Sequence, residues 1–94
     1  MEVRDAVAAS KKYVQDIFSE EKISNLGLEE VEFDEATGIW CITLGFSRPW
    51  ESPQNALAAI ARQLQPPRAY KIVCISDKTG QLVSVKNREP VHDP

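Results

Sequence analysis

From residue 28 onward, apolar side chains fall on every second position. In LEEVEFDEATGIWCITLGF, Val31 and Phe33 alternate with Glu30, Glu32 and Asp34; beyond the turn EATG, Trp40, Ile42, Leu44 and Phe46 alternate with Cys41, Thr43 and Gly45. A period of two is that of a strand with one buried side. Pairing Asp34 with Ile39 sets Phe33 opposite Trp40 and Val31 opposite Ile42. Cross-strand partners share a face, so this one register gathers all six apolar residues on one side and predicts a β-hairpin.

Earlier in the chain the spacing is helical. Val3, Val7, Val14, Ile17 and Phe18 recur at intervals that suit a helix over residues 2–22, with Ala6 and Tyr13 beside them and no Gly or Pro between. The segment SNLG then predicts its end, because Asn25 and Gly27 tolerate left-handed backbone geometry. A second helix is predicted over 53–64. Ser52 suits the N-cap, Pro53 the first helical position, Leu57, Ile60, Ala61 and Leu64 form a stripe, and Pro66-Pro67 stops it.

The remainder, YKIVCISDKTGQLVSVK, reads as a second hairpin around DKTG. Pairing Ser76 with Gln81 puts Tyr70, Ile72, Cys74, Val83 and Val85 on the core side together with Trp40. Lys71, Ser84 and Lys86 then fall on the outer side with Val73, Ile75 and Leu82. Thr-Gly pairs at 37–38 and 79–80 suggest either two copies of one helix-hairpin unit or a likeness produced by turn chemistry alone. The expected fold is α+β: a four-stranded antiparallel sheet with two helices on one face, in the order α-β-β-α-β-β. Residues 1–88 form a single domain in this reading and 89–94 a flexible tail.

Composition narrows the function classes. A chain of 94 residues buries roughly 65% of the surface it exposes when unfolded, so it needs no metal or disulfide to fold. The 11 Lys and Arg are scattered and the net charge is −3, which argues against a nucleic-acid partner. Arg68, Lys71, Lys78, Lys86 and Arg88 make only a mild basic edge. Glu29, Glu30, Glu32, Asp34 and Glu35 form an acidic cluster, read as a solvated strand face or a docking face for a basic partner. No apolar run approaches the ~20 residues that span a bilayer, and the first residues lack a secretion signal's continuous apolar segment. The expectation is a cytoplasmic protein without a membrane partner.

Candidate chemistry is sparse. His92 is the single histidine and lies in the tail, which disfavours His-based catalysis. Two cysteines, Cys41 and Cys74, match no zinc spacing, and a cytoplasmic setting argues against a disulfide. The assigned faces put Cys41 on the polar side and Cys74 on the core side. Phosphate-binding and nucleophile-elbow motifs do not occur. No catalytic residue, metal or cofactor is therefore expected, with a Cys41 nucleophile the remaining enzymatic option.

Two features point to protein binding. In LGFSRPWESP, Arg48 and Trp50 stand between prolines; Trp50 either packs under the following helix or presents a binding anchor beside Arg48. With both helices on one side, Ile39, Val73, Ile75 and Leu82 would be bare, an apolar patch of the kind that signals association. YKIVCISDKTGQLVSVK resembles the closing hairpin of PepSY-like domains, and LEEVEFDEATGIWCITLGF after a helix is similar to their opening hairpin. The resemblance implies a non-enzymatic regulatory or inhibitory module acting on another protein. The predicted second helix between the hairpins departs from that pattern. The expected function is a small protein-interaction domain, a regulator, inhibitor or immunity-type partner, binding another protein or a second copy through sheet face or edge. The alternative is a small-molecule binder with a pocket near Tyr13, Trp40 and Trp50.

Overall fold

The two Thr-Gly turns are built alike. In a computed structural model that describes residues 1–48 and 68–88, Gly38 donates its N–H to the Asp34 carbonyl and Gly80 to the Ser76 carbonyl, each at 2.8 Å. Both glycines are left-handed, with φ of 69° and 71°. A side chain would be strained there, so glycine sets the turn. The turns join β1 (Ser24–Asp34) to β2 (Ile39–Ser47) and β3 (Ala69–Ser76) to β4 (Leu82–Asn87). All neighbours are antiparallel, in the order β1-β2-β3-β4.

One helix, α1 (Val3–Ile17), covers one side of this sheet. Asp5 in its first turn accepts the Glu2 backbone N–H at 3.2 Å, and its charge complements the helix dipole. Its buried residues are Ala6, Ser10 and Val14. They are small and one helical turn apart, which lets the helix lie close to the strands. Ser10 is tolerated because its hydroxyl donates to the Ala6 carbonyl at 2.8 Å. Val3 and Ile17, expected in the buried stripe, are exposed. The helix also ends earlier than expected. A 3₁₀ turn (Ser19–Glu21) and left-handed Lys22 lead into β1, and the left-handed Asn25 falls beside an irregularity inside that strand.

The expected layer of two helices is therefore corrected. The class is α+β with a single helix among the described residues, and the predicted 53–64 helix and the 89–94 tail lie outside them.

The first hairpin has the expected register, Asp34 with Ile39, Phe33 with Trp40 and Val31 with Ile42. The second does not have the expected faces. Across β2–β3, Trp40 pairs with Ile75, Ile42 with Val73 and Thr43 with Ile72. Ile75 and Val73 thus share the Trp40 side and are fully buried with Ile42, Leu44 and Phe46 under α1. Ile72, Cys74 and Tyr70 point the other way, so Trp40 and Ile72 lie on opposite sides of the sheet. In β4 an irregularity at Val83 lets Leu82 and Val85 both pack on the core. Val83 itself is 57% exposed.

Lys71, placed by this register on the helix side, sits at its margin. Its ammonium lies 5.5 Å from the Phe18 ring centre and donates to the Asn87 side chain.

Candidate interaction face

The helix-free side of the sheet is built by the same registers. Ile39, Cys41, Thr43 and Gly45 of β2 pair with Ser76, Cys74, Ile72 and Tyr70 of β3. Glu30 and Glu32 of β1 flank one side, and Ser84 and Lys86 of β4 the other.

Gly45 shapes one end of this face. A Cβ there would come within 2.9 Å of an Arg68 guanidinium nitrogen, 3.0 Å of Glu29 Oε1 and 3.0 Å of Tyr70 Cε1. Its bare backbone is the floor on which those three side chains meet. Arg68 Nη2 donates to the Asn25 carbonyl at 3.0 Å and lies 3.6 Å from Glu29. Glu29 reaches this position because β1 shifts register between Leu28 and Glu30. Nε of Arg68 is buried with no acceptor among the described residues.

A second ion pair crosses the same face. Arg88 donates its backbone N–H to the Tyr70 carbonyl on β3, and its guanidinium meets Glu30 on β1 at 2.7 Å. Glu30 is paired with Thr43, so the side chains span both central strands. Thr43, next to Glu30, is only 4% exposed, whereas Tyr70 remains 39% exposed. Exposed pairs of this kind stabilise a fold by at most about 1 kcal/mol each, so their exchange for other partners is inexpensive.

At the other end of the face the thiols of Cys41 and Cys74 lie 3.9 Å apart, both half-buried. The expectation of opposite faces is corrected: they are direct cross-strand partners. Burial, then Cys74, then the carboxylates Glu32 and Asp34, push the Cys41 thiol above its ordinary pKa. That is the reverse of an activated nucleophile, which needs a thiolate near neutrality.

The residues singled out from sequence scatter. Val73 and Ile75 are core, and Leu82 packs against it, because the β2–β3 register aligns them with Trp40 and Ile42. They form no outer patch. Ile39 is on the helix-free side, half-buried opposite Ser76. Arg48 is drawn into the fold. Its side chain, 16% exposed, pairs with Glu21 at 3.0 Å and lies over the Phe46 ring, 5.5 Å from its centre. Trp50 lies outside the described residues.

Around the supposed small-molecule pocket, the polar atoms of two rings are used internally. Tyr13 donates to the Gly80 carbonyl at 3.3 Å, and Trp40 Nε1 to Asp77 at 2.9 Å. That indole, then the N-terminal ammonium at 3.1 Å, holds the Asp77 carboxyl below its ordinary pKa.

Sequence reasoning missed Arg68, Arg88, Tyr70 and Gly45 as one group. The available signal was Gly45, a glycine at a strand position where alternation called for a side chain.

Among the described residues no group of three or more His, Cys, Asp or Glu is placed to hold a metal ion, and no helix is long and apolar enough to cross a membrane. Comparisons with protein-family models, curated proteins and solved structures gave no match.

Proposed function

We propose that this chain is a non-enzymatic protein-interaction domain that binds another protein through the helix-free face of its sheet. The observation that carries the reading is Tyr70, exposed over the bare backbone of Gly45 where the Arg68 guanidinium also lies, with the Arg88 backbone N–H bonded to its carbonyl. Tyr and Arg are enriched among the residues that dominate binding energy. Both arginines are already ordered by intrachain carboxylates, so docking immobilises few new rotamers. A partner offering an apolar anchor for Tyr70 and carboxylates for the arginines fits this face. The likeness of the two hairpins to PepSY-like modules points the same way, toward a regulator or inhibitor.

Affinity purification of the wild type beside Tyr70→Ala and Arg88→Ala variants, all checked for folding by circular dichroism, tests the reading. A partner captured by the wild type and lost from both variants supports it. An unchanged partner set in both folded variants overturns it. Light scattering on the same samples asks whether the partner is a second copy.

A further inference from the structure

The pairing of Cys41 with Cys74 has a geometry suited to covalent closure. Their thiols are 3.9 Å apart across the two central strands. Asp77 donates its backbone N–H to the Gly38 carbonyl, which makes 38 and 77 a hydrogen-bonded pair. Counting along the unbroken β2–β3 register, 39 with 76 is non-hydrogen-bonded, 40 with 75 bonded, and 41 with 74 non-hydrogen-bonded again. Non-hydrogen-bonded pairs bring Cα atoms to about 4.5 Å, at the near end of the range a disulfide spans. Both thiols are free and partly exposed on the helix-free side, away from the core that α1 seals.

We infer that Cys41 and Cys74 are a reversible redox modification site, closing to an intrachain disulfide by exchange with a small-molecule disulfide.

The exchange balances in two steps. One thiol, as its thiolate, attacks a sulfur of R–S–S–R, forming a protein–S–S–R mixed disulfide and releasing RS⁻. The second thiolate attacks the protein sulfur of that bond and expels the other RS⁻. Two protein S–H bonds are lost and one S–S bond forms. The small disulfide takes up two electrons, and the two protons end on the released thiols. The neighbours set the rate. Burial, then Cys74, then Glu32 and Asp34, hold the Cys41 thiol above its ordinary pKa, which makes exchange slow until the pH rises. Closure is helped by the register of β2 and β3, which already makes the two cysteines direct cross-strand partners. The disulfide would tie the two central strands without moving the ion pairs over Gly45. The inference stands on this geometry alone and does not depend on the helix-free face binding a partner.

The test uses the full chain incubated at mildly alkaline pH with glutathione disulfide, then acid-quenched, alkylated and weighed intact. The expected product is a monomer lighter by two hydrogens, with no alkylated thiol and no glutathione adduct, restored by dithiothreitol. Cys41→Ser and Cys74→Ser should each stop at a single glutathione adduct on the remaining thiol. A wild type that keeps both thiols alkylatable, carries two adducts, or links into covalent dimers would overturn the inference. Because reduced and oxidised wild type are compared directly, the result stands even where a serine variant fails to fold.

Discussion

The sharpest stability test contrasts two valines that the sequence pattern and the structure rank in opposite order. Alternation alone places Val83 in the core and Val73 outside; the structure buries Val73 completely and leaves Val83 57% exposed. Truncating Val73 to alanine removes two buried methyl groups, worth about 1.6 kcal/mol at about 0.8 kcal/mol per carbon. Val73 sits among Ile42, Ile75 and Val14, held by a sheet on one side and α1 on the other, so the site collapses only in part. A residual void of roughly 40 Å³ adds about 1 kcal/mol at about 24 cal/mol per Å³. The expected loss for Val73→Ala is therefore about 2–3 kcal/mol. Val83→Ala should cost under about 0.5 kcal/mol, as exposed substitutions generally do. Strand propensity falls in both variants, so their difference isolates burial. Urea titration with both midpoints and slopes measures it, and thermal melting should show the Val73 variant lower by about 8–24 °C at about 4–8 °C per kcal/mol. Equal losses, or a larger one at Val83, would refute the assignment of faces.

Three further outcomes follow from named contacts. Asp77, whose carboxyl is depressed by the Trp40 indole and the N-terminal ammonium, stabilises the fold above the ordinary carboxylate pKa near 3.9. That contribution disappears as pH falls through the lower folded value, so the stability gap between wild type and Asp77→Asn should narrow on acidification below about pH 4. A gap that is constant from pH 7 to about pH 2 would contradict it. Gly45→Ala should leave the core intact and cost at most about 1–2 kcal/mol, because the added methyl meets the movable ends of Arg68 and Glu29 and the edge of Tyr70. Its signature is a shifted Tyr70 ring resonance with unchanged core methyls; an unmoved ring would show that the three side chains do not meet there. Oxidation of Cys41 and Cys74, separated by 33 positions, should raise unfolding stability by up to about 3.7 kcal/mol from loop closure, less any strain. No change in the urea midpoint between reduced and oxidised chains would indicate that strain cancels the gain.

How far the sequence could be read varied with each strand's polarity. The β1–β2 register was legible because Glu30, Glu32 and Asp34 leave only one phase in which Val31 and Phe33 can be buried. In β3 both phases are apolar: Tyr70, Ile72 and Cys74 on one, Val73 and Ile75 on the other. Local alternation cannot choose between them. The choice is made by β2, whose Trp40 and Ile42 align with Ile75 and Val73. The irregularity at Val83 then shifts β4 so that Leu82 and Val85, three apart, share a face, a spacing that strict alternation forbids. The helix was legible in kind and misplaced in detail, because its packing stripe runs through Ala6 and Ser10 rather than through its larger residues. The apolar patch of Val73, Ile75 and Leu82 dissolved with the β3 phase. Of the polar group over Gly45 only the glycine itself gave a sequence signal, since the group joins residues from β1, β2 and both ends of the β3–β4 hairpin.

Every assignment of a β3 side chain to core or interaction face descends from the β2–β3 register. Non-hydrogen-bonded antiparallel partners bring their Hα atoms close together, and nuclear Overhauser contacts in the reduced protein report that directly. The account predicts strong Hα–Hα contacts between Cys41 and Cys74 and between Thr43 and Ile72. Contacts joining Cys41 to Val73 or to Ile75 instead would slide the register by one residue, exchange the two faces of β3, and contradict the account at its root.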